Sequence, residues 1–293
     1  MTWQALSIAH CIETEPPQLD FVLPGLVVGT VGSIVAPGAT GKSWLALEAA
    51  LLVAVGKDFL GLYFDELRCG KVVILAAEDP APVLHQRVHA LAQHLTSAER
   101  AEFANYVSII PTYGEVGNLL DDGQTARRIL EAATGARLVI IDTLSRWHTG
   151  DENDRGDASK VMRKLEHIAG QTGAAIVFLH HTNKTAALAG EGDKQQSARG
   201  SSVFVDEARW VAFLQTCTVE EAKTFGIEEE MRRHFVRYGV SKANYCPPLE
   251  DVWLRREAGG VLMKYDGVMK PQKQQQASKE RQTKAKEDDY ADF

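Results

Sequence analysis

The stretch from Ala36 to Ser43 reads APGATGKS and combines two glycines with a lysine and a serine. It follows an apolar, β-branched run and precedes an Ala- and Leu-rich run, which is the strand–loop–helix context of a phosphate-binding loop. Glycines let backbone N–H groups converge on an anion, the lysine can reach the β- and γ-phosphates, and the serine hydroxyl can ligate Mg²⁺. A Gly-rich turn with an accidental Lys-Ser pair is the alternative. The residues predicted to cradle a nucleoside triphosphate are Ala36, Pro37, Gly38, Ala39, Thr40, Gly41, Lys42 and Ser43.

Further along the chain, three apolar runs end in ionisable side chains. Asp142 closes LVIID, Glu78 follows KVVILAA, and His180-His181 closes the run after Ala174. A carboxylate at a strand end can hold Mg²⁺, and a second one can activate water, so we predict Asp142 as a metal ligand and Glu78 as the base. One of the two histidines could contact the γ-phosphate. The alternatives are an Asp that caps a turn, a solvated Glu and a space-filling His.

These residues need a parallel sheet to bring them together. The patterning predicts strands at 30–35, 71–77, 107–110, 137–141 and 174–179, and helices at 44–55, 80–94, 97–104, 122–133 and 158–172. Asp79 is predicted to cap the second helix and Pro80 to begin it, and 151–157 is predicted as an acidic loop. Strands at 209–216, 233–241 and 251–265 follow, separated by turns and one short acidic helix. This order predicts an α/β fold in which helices flank a mainly parallel, twisted sheet with an antiparallel C-terminal extension.

Composition narrows the class of protein. The 293 residues are 45% hydrophobic and 24% charged, with a net charge of -7, as in an ordinary soluble globular protein. Apolar stretches fall short of the roughly 18 residues that span a membrane, and the first residues lack the features of a signal peptide. The four cysteines form no C-x-x-C pair, which disfavours a zinc site or a disulfide framework. We therefore predict a cytoplasmic protein with no membrane partner.

Three segments are expected. Residues 1–28 form an arm that could pack on a neighbouring subunit or act as a local lid, 29–268 form the nucleotide-binding domain, and 269–293 form a low-complexity, disordered tail. The tail ends in the acidic, aromatic run Glu287 to Phe293. A solubilising tail is the plain interpretation, and recruitment of a partner protein is the alternative.

Taken together, the P-loop, the strand-end Glu, the Asp142 strand, the strand-end His and the long polar loop after it resemble the RecA/DnaB-type ATPase core. Longer runs resemble the RepA family, the hexameric replicative helicases of broad-host-range IncQ plasmids. These runs are LDFVLPG from Leu19, AAEDP from Ala76, IVFLHH from Ile176, ARGSSV from Ala198 and GVSKANY from Gly239. The resemblance covers roughly 19–262 and weakens at both ends.

The resemblance implies a role for each matching residue. Lys42 and Ser43 would bind phosphate and Mg²⁺, Glu78 would be the catalytic base, and His181 would sense the γ-phosphate. Asp142 would hold the metal through water. Arg209 would be an arginine finger supplied to the adjacent subunit, with Lys242 as a rival and a plain surface arginine as the alternative. Arg87 and Tyr245 could stack on the adenine.

Two loops lie where RecA-type proteins line their nucleic-acid channel, at 113–118 and 182–199. Lys184, Lys194 and Arg199 in the second loop can meet phosphates of single-stranded DNA without reading bases. An exposed loop with ordinary charges is the alternative.

The hypothesis is a ring-forming replicative DNA helicase, with ATP and Mg²⁺ as cofactors, that acts in plasmid or phage replication. Its partners would be single-stranded DNA, further copies in a hexameric ring, and a primase, an initiator or another replication protein. The alternative is a non-helicase RecA-type DNA-dependent ATPase with a regulatory or recombination role. A small-molecule kinase is disfavoured because the chain offers a basic, polar loop in place of an Arg-rich lid.

Overall fold

The computed structural model describes residues 5–115, 117–121, 123–150, 154–181 and 202–267. Its centre is a nine-stranded sheet with the order β11-β10-β9-β8-β3-β7-β6-β4-β5, numbered along the chain. The six strands from β8 to β5 in this order are parallel, and β9, β10 and β11 extend the sheet antiparallel from β8. In chain order the strands of this sheet are β3 (Val31–Ala36), β4 (Val72–Ala76), β5 (Val107–Pro111), β6 (Leu138–Asp142), β7 (Ala175–His181), β8 (Trp210–Thr216), β9 (Phe235–Ala243), β10 (Val252–Arg256) and β11 (Leu262–Lys264).

Helices cover both faces of the sheet, and they bury the central strands β3, β4, β6 and β7 along almost their whole length. One face carries α2, α3 and α4, and the other carries α5, α6 and α7. The helices, again in chain order, are α1 (Ile8–Glu13), α2 (Lys42–Val55), α3 (Ala81–Ala92), α4 (Ser97–Tyr106), α5 (Gln124–Ala133), α6 (Arg155–Thr172), α7 (Ser202–Glu207) and α8 (Val219–Phe225). The predicted fold class is confirmed. None of the helices within the described ranges is long and apolar enough to cross a membrane.

Three predictions about element boundaries were wrong. Pro80 takes the N-cap position of α3, and Asp79 instead forms an ion pair with Arg87 at 2.6 Å. The helix α6 begins inside the predicted acidic loop because the Asp154 side chain accepts a hydrogen bond from the Asp157 N–H and caps it. The segment predicted as one strand at 251–265 is two strands, β10 and β11, joined by a turn at Ala258–Gly260.

The predicted arm contains two elements with different environments. A hairpin of β1 (Phe21–Leu23) and β2 (Leu26–Val27) packs into the main core, and the Trp210 indole N–H donates to the Pro24 carbonyl at 2.9 Å. The helix α1 precedes this hairpin and has no buried residue. Its segment exposes Leu6, Ile8 and Ile12 by 74%, 65% and 79%. The hairpin therefore belongs to the packed domain, whereas α1 presents an apolar surface to its surroundings.

Arg137 fixes the chain just before the hairpin. Its guanidinium bonds both carboxylate oxygens of Asp20, with Nη1 at 2.9 Å from Oδ2, and Nη2 also donates to the Phe21 carbonyl at 2.9 Å. This guanidinium holds the pKa of the Asp20 carboxyl below its usual range. Arg68 also approaches Asp20, at 3.8 Å, but its side chain is 70% exposed.

We expect Arg137→Met to lower the free energy of unfolding by about 1–3 kcal/mol, because the partly buried Asp20 carboxylate and Phe21 carbonyl lose their charge-assisted bonds. Chemical denaturation at neutral pH measures the effect, and Arg68→Met is the control, expected to change stability by less than about 0.5 kcal/mol. A depressed pKa in the folded state means that this contribution fades as the pH falls below about 4. The difference in the free energy of unfolding between the wild type and Arg137→Met should therefore become smaller in acid. A difference that does not change with pH would contradict the ionic part of the explanation.

Candidate active site

The loop from Pro37 to Gly41 joins the end of β3 to the start of α2. Two of its residues adopt left-handed backbone conformations, Ala39 with φ 64° and Gly41 with φ 111°. Glycine populates this region at little cost, and alanine does so less readily, so the left-handed position at Ala39 was not predictable from residue type. A Cβ placed on Gly38 would meet no other atom within 4 Å.

Lys42, the first residue of α2, points back under this loop and is only 5% exposed. Its ammonium donates to the carbonyls of Ala36 and Pro37 at 2.9 and 3.2 Å and lies 3.0 Å from Nδ1 of His181. Burial lowers the pKa of Lys42 to about 8, although the carboxylates of Glu78 and Asp142 act in the opposite direction. The lysine is therefore held in place before any phosphate binds.

A hydrogen-bonded chain continues from Lys42 to Glu78. An ammonium has only donors, so Nδ1 of His181 accepts, and Nε2 carries the proton that it donates to Glu78 Oε1 at 3.0 Å. The same Oε1 accepts from the Thr143 hydroxyl at 3.0 Å, and Thr143 in turn lies 3.0 Å from the Ser145 hydroxyl. The bond from His181 is the main cause that lowers the pKa of Glu78, which keeps this carboxylate ionised and able to accept a proton.

Ser43 and Asp142 form the candidate metal site. Asp142 is buried at the end of β6, and Oδ1 has no hydrogen-bond partner among the described residues. Burial raises the pKa of Asp142 to about 6, against a hydrogen bond from Ser43. Because Mg²⁺ takes oxygen ligands and usually keeps several waters, one carboxylate and one hydroxyl fit it. The described residues hold no cluster of three or more His, Cys, Asp or Glu side chains suited to another metal.

The sheet topology explains why these residues meet. Lys42 and Ser43 follow β3, His181 ends β7, Asp142 ends β6 and Glu78 follows β4. Those four strands are adjacent and parallel, so their carboxyl ends lie at one edge of the sheet, where ligands bind in open α/β folds. The structure thus brings together five residues that are spread over 140 positions in the sequence.

Arg87 also lies at this edge, on α3. Its guanidinium pairs with Asp79, and its charge is one of the influences that lower the pKa of Asp142. In this state the arginine is engaged by a carboxylate, so stacking on a base would require a rearrangement of the Arg87–Asp79 pair.

Sequence reasoning missed Arg256, which ends β10 and reaches the P-loop. Its Nη2 donates to the Thr40 carbonyl at 2.9 Å and would lie 3.1 Å from a Cβ placed on Gly41. Close by, the buried Glu48 accepts from the Leu262 N–H at 2.5 Å. Nothing in the local sequence signals a contact between residues 216 positions apart. Thr143 and Ser145 were missed as well, although two hydroxyl residues just after Asp142 were a usable signal.

A cavity of about 710 Å³ opens beside the P-loop on the side of the antiparallel extension. Its walls include Pro37 to Thr40, the end of β8, the start of α8 and the turn Glu229–His234. A cavity of this size accommodates a nucleoside-sized group.

Arg209, Lys242 and Tyr245 lie at the opposite edge of the sheet. Arg209 immediately precedes β8, where its N–H donates to the Val31 carbonyl at the start of β3. Lys242 is paired with Val211, and its ammonium donates to the Asp206 carbonyl at 2.6 Å. Five residues of strand, about 16 Å, separate the level of Arg209 from the P-loop end of β3. One chain therefore does not bring these three residues to its own phosphate site.

The other predicted site residues are only partly described. Lys184, Lys194 and Arg199 lie outside the described residues, as does the tail from residue 268. The loop after β5 is described except at residue 116, and its Tyr113 is 59% exposed at the same edge as the P-loop.

We expect Glu78→Gln to retain nucleotide affinity and to lower turnover of ATP by about 10²–10⁴-fold, since an amide cannot take a proton from water. The amide oxygen can still accept the bonds from His181 and Thr143, so the fold of the site should persist. Nucleotide titration and steady-state hydrolysis measure the two effects, with the exposed Glu102→Gln on α4 as a control. A joint collapse of affinity and turnover would make Glu78 a structural residue.

A curated relative, the replicative DNA helicase DnaB of Leifsonia xyli subsp. xyli (strain CTCB07), is 25% identical in an alignment 190 residues long, which covers 59% of this chain and 39% of the helicase. The chain thus spans about two fifths of that relative's length.

Among solved structures, a chain described as an ATPase domain matches with a TM-score of 0.58 and 15% identity, over 88% of this chain and 96% of that one. A DnaB-like replicative helicase, solved in a study of its interactions with primase, matches with the same TM-score and identity over 87% of this chain and 66% of that one. These likenesses show the RecA-like P-loop ATPase fold. Residues 3–187 match the family described as AAA domain (AAA_25), and the chain belongs to that family.

Proposed function

We propose that this chain is the ATPase of a ring-forming DNA helicase, which couples ATP hydrolysis to translocation on single-stranded DNA and to duplex unwinding. The observation that carries the proposal is the division of the site residues between two sheet edges. A phosphate site with a bonded lysine, histidine and glutamate lies at one edge, and Arg209 is exposed at the other. Each copy could therefore supply its Arg209 to one neighbour and accept the Arg209 of another neighbour at its own phosphate site.

The chemistry at the first edge follows from the groups present. Lys42 and the backbone N–H groups of the loop would hold the β- and γ-phosphates, and Ser43 and Asp142 would hold Mg²⁺. When bound, Mg²⁺ would neutralise charge on the phosphate oxygens. Glu78 would accept a proton from the attacking water, and His181, which touches both Lys42 and Glu78, would exchange one of these partners for the γ-phosphate.

The second edge supplies what one chain lacks. An arginine brought to the transferring phosphoryl group stabilises its developing charge and raises turnover by roughly 10³–10⁵-fold. Head-to-tail contact of copies, with Arg209 of one at the P-loop of the next, is heterologous and closes into a ring if the rotation permits. The same contact would carry Tyr245 and Lys242 toward the neighbour's site, where Tyr245 could share an adenine with Arg87 of that neighbour.

Contacts with DNA are assigned to Lys184, Lys194 and Arg199, which would neutralise backbone phosphates within the ring. The relative named as a replicative helicase supports a role in replication. The sequence runs that resemble the IncQ plasmid RepA helicases support a plasmid context, and the DnaB-like helicase solved in a study of its interactions with primase supports a primase as a partner.

A strand-displacement assay on forked and tailed duplexes with ATP tests this function. We expect unwinding that requires ATP, together with hydrolysis that single-stranded DNA stimulates. Hydrolysis stimulated by DNA without strand displacement would favour the RecA-type regulatory or recombination ATPase. Hydrolysis indifferent to DNA would contradict both.

The helix α1 is the second element that we assign to contacts between copies. Its residues Ile8 and Ile12 are exposed and apolar, so burying them against a neighbour would stabilise the assembly by about 25 cal/mol per Å² of apolar area. We expect Ile8→Asp/Ile12→Asp to weaken assembly in sedimentation velocity while leaving the melting temperature of the monomer unchanged. The control is Glu13→Gln on the same helix. Assembly that is as tight as in the wild type would remove α1 from the interface.

A further inference from the structure

The residues that line the P-loop cavity carry an excess of positive charge. Three arginines, Arg232, Arg233 and Arg256, line it against one glutamate, Glu220. Arg232 is held by the Cys217 carbonyl and Glu229, and Arg256 is held by Thr40. Arg233 is exposed, and its side chain makes no hydrogen bond or ion pair with the described part of the chain. We call Arg232 and Arg233 the basic patch.

A second cavity, of about 640 Å³, lies around Arg209 at the other edge of the sheet and has the opposite balance of charge. Three carboxylates, Glu166, Asp206 and Glu207, line it against Arg163 and Arg209. Glu166 on α6 is exposed and without a partner among the described residues, and Asp206 is exposed beside Lys242. Glu207 accepts from the Ser159 hydroxyl. We call these three carboxylates the acidic patch.

These carboxylates pose an electrostatic problem for a residue that must approach a polyanion. If Arg209 enters the phosphate site of a neighbouring copy, Asp206 and Glu207 are carried in with it, because they lie three and two residues before it. Like charges brought together at an interface oppose association unless counter-charges meet them. The copy that holds the nucleotide must therefore present cations close to its P-loop.

The basic patch is where those cations are found. Arg233 shares a cavity with Pro37 to Thr40, just as the acidic patch shares a cavity with Arg209, and the two cavities are of similar size. Placing Arg209 at the P-loop therefore brings the two patches within reach of each other.

We propose that the acidic patch of one copy pairs with the basic patch of the next, and that this pairing sets the register in which Arg209 reaches the phosphates. The occupant of the acidic patch is a second copy of this chain. The inference rests on the proposed ring and adds to it the surface that aligns neighbouring subunits. Such pairs at the rim of an interface fix orientation and choice of partner more than they add affinity.

Charge exchange across the interface tests the pairing. The full chain is studied by sedimentation velocity over a concentration series, with Mg²⁺ and a non-hydrolysable ATP analogue, as wild type, Arg233→Glu, Glu166→Arg and the double variant. Both positions are exposed, so the melting temperatures should match the wild type. Arg127→Glu and Glu131→Arg, two exposed positions on α5, repeat the same changes of sign away from the patches.

We expect each single reversal to raise the midpoint concentration of assembly by about tenfold or more, which corresponds to about 1.4 kcal/mol per interface, and the effect should shrink at high salt. The midpoint concentration of the double variant should lie within about threefold of that of the wild type. The neutral variants Arg233→Gln and Glu166→Gln should shift assembly in the same direction as the reversals but by less.

Single variants that assemble as the wild type does, or a double variant no better than its worse single variant, would overturn the pairing alone. A wild type that stays monomeric throughout would overturn the pairing and the ring together. The strand-displacement assay separates these failures from a failure of the helicase function.

Discussion

Lys42→Ala is expected to reduce ATP hydrolysis by about 10²-fold or more, the effect of removing one preorganised contact to the charge that develops in a transition state. The structure adds a second reason. The lysine ammonium is also the donor to Nδ1 of His181, so its loss frees the histidine that bonds Glu78. One substitution thus removes a phosphate contact and loosens the candidate base.

The measurement is steady-state hydrolysis with saturating ATP and single-stranded DNA, together with a thermal melt. Because Lys42 is buried, its removal takes the ammonium donor away from the carbonyls of Ala36 and Pro37, of which the second keeps the Thr40 hydroxyl as a donor at 2.9 Å. A modest fall in melting temperature is therefore expected. Lys57→Ala, just beyond the other end of α2, is the control and should keep full turnover. A folded Lys42→Ala variant with most of its activity would defeat the assignment of the site.

Arg209→Ala is expected to lower turnover by roughly 10³-fold or more while leaving nucleotide affinity close to that of the wild type. The side chain is exposed at the edge opposite the P-loop, so the substitution leaves the phosphate site of its own chain intact. Nucleotide titration and hydrolysis separate the two effects. A large loss of affinity with little change in turnover would assign Arg209 to binding or assembly.

Mixing the two inactive variants tests action between copies. In an equal mixture of Lys42→Ala and Arg209→Ala, half of the chains have an intact P-loop and half have an intact Arg209, so about one quarter of random interfaces are complete. Activity should therefore return to about that fraction of the wild type. The double variant Lys42→Ala/Arg209→Ala mixed with either single variant supplies no complete interface and should restore nothing. No recovery in assemblies shown to be mixed would contradict a finger acting in trans.

Much of the first edge was predictable because local pattern and topology agree there. The P-loop has a sequence signature, Asp142 and His181 each end an apolar strand and Glu78 follows one, so the rule that parallel strands share a carboxyl edge was enough to group them. The antiparallel extension followed from the β-rich sequence after residue 209. The turn within 251–265 was signalled by Gly259-Gly260 and should have divided that segment into two strands.

Other features depend on contacts between distant segments. The capping role of Asp79 failed because Arg87, on α3, competes for its carboxylate. The contact of Arg256 with Thr40 arises only once β10 has been added to the far side of the sheet. Helix α1 makes no tertiary contact that buries a side chain. Its one local sequence signal is the N-cap Ser7, whose side chain accepts a hydrogen bond from the His10 N–H.

Because the P-loop and Arg209 lie at opposite ends of the strands, the number of complete sites depends on how the copies are arranged. If Arg209 completes the site of a neighbour, an open row of n copies contains n−1 complete sites, because the P-loop at one end faces no finger. Closing the row into a circle adds the missing site without adding a chain. Specific activity per chain would then rise with assembly size and reach its full value only on closure, so a nicked or diluted ring would lose catalysis before any subunit unfolds.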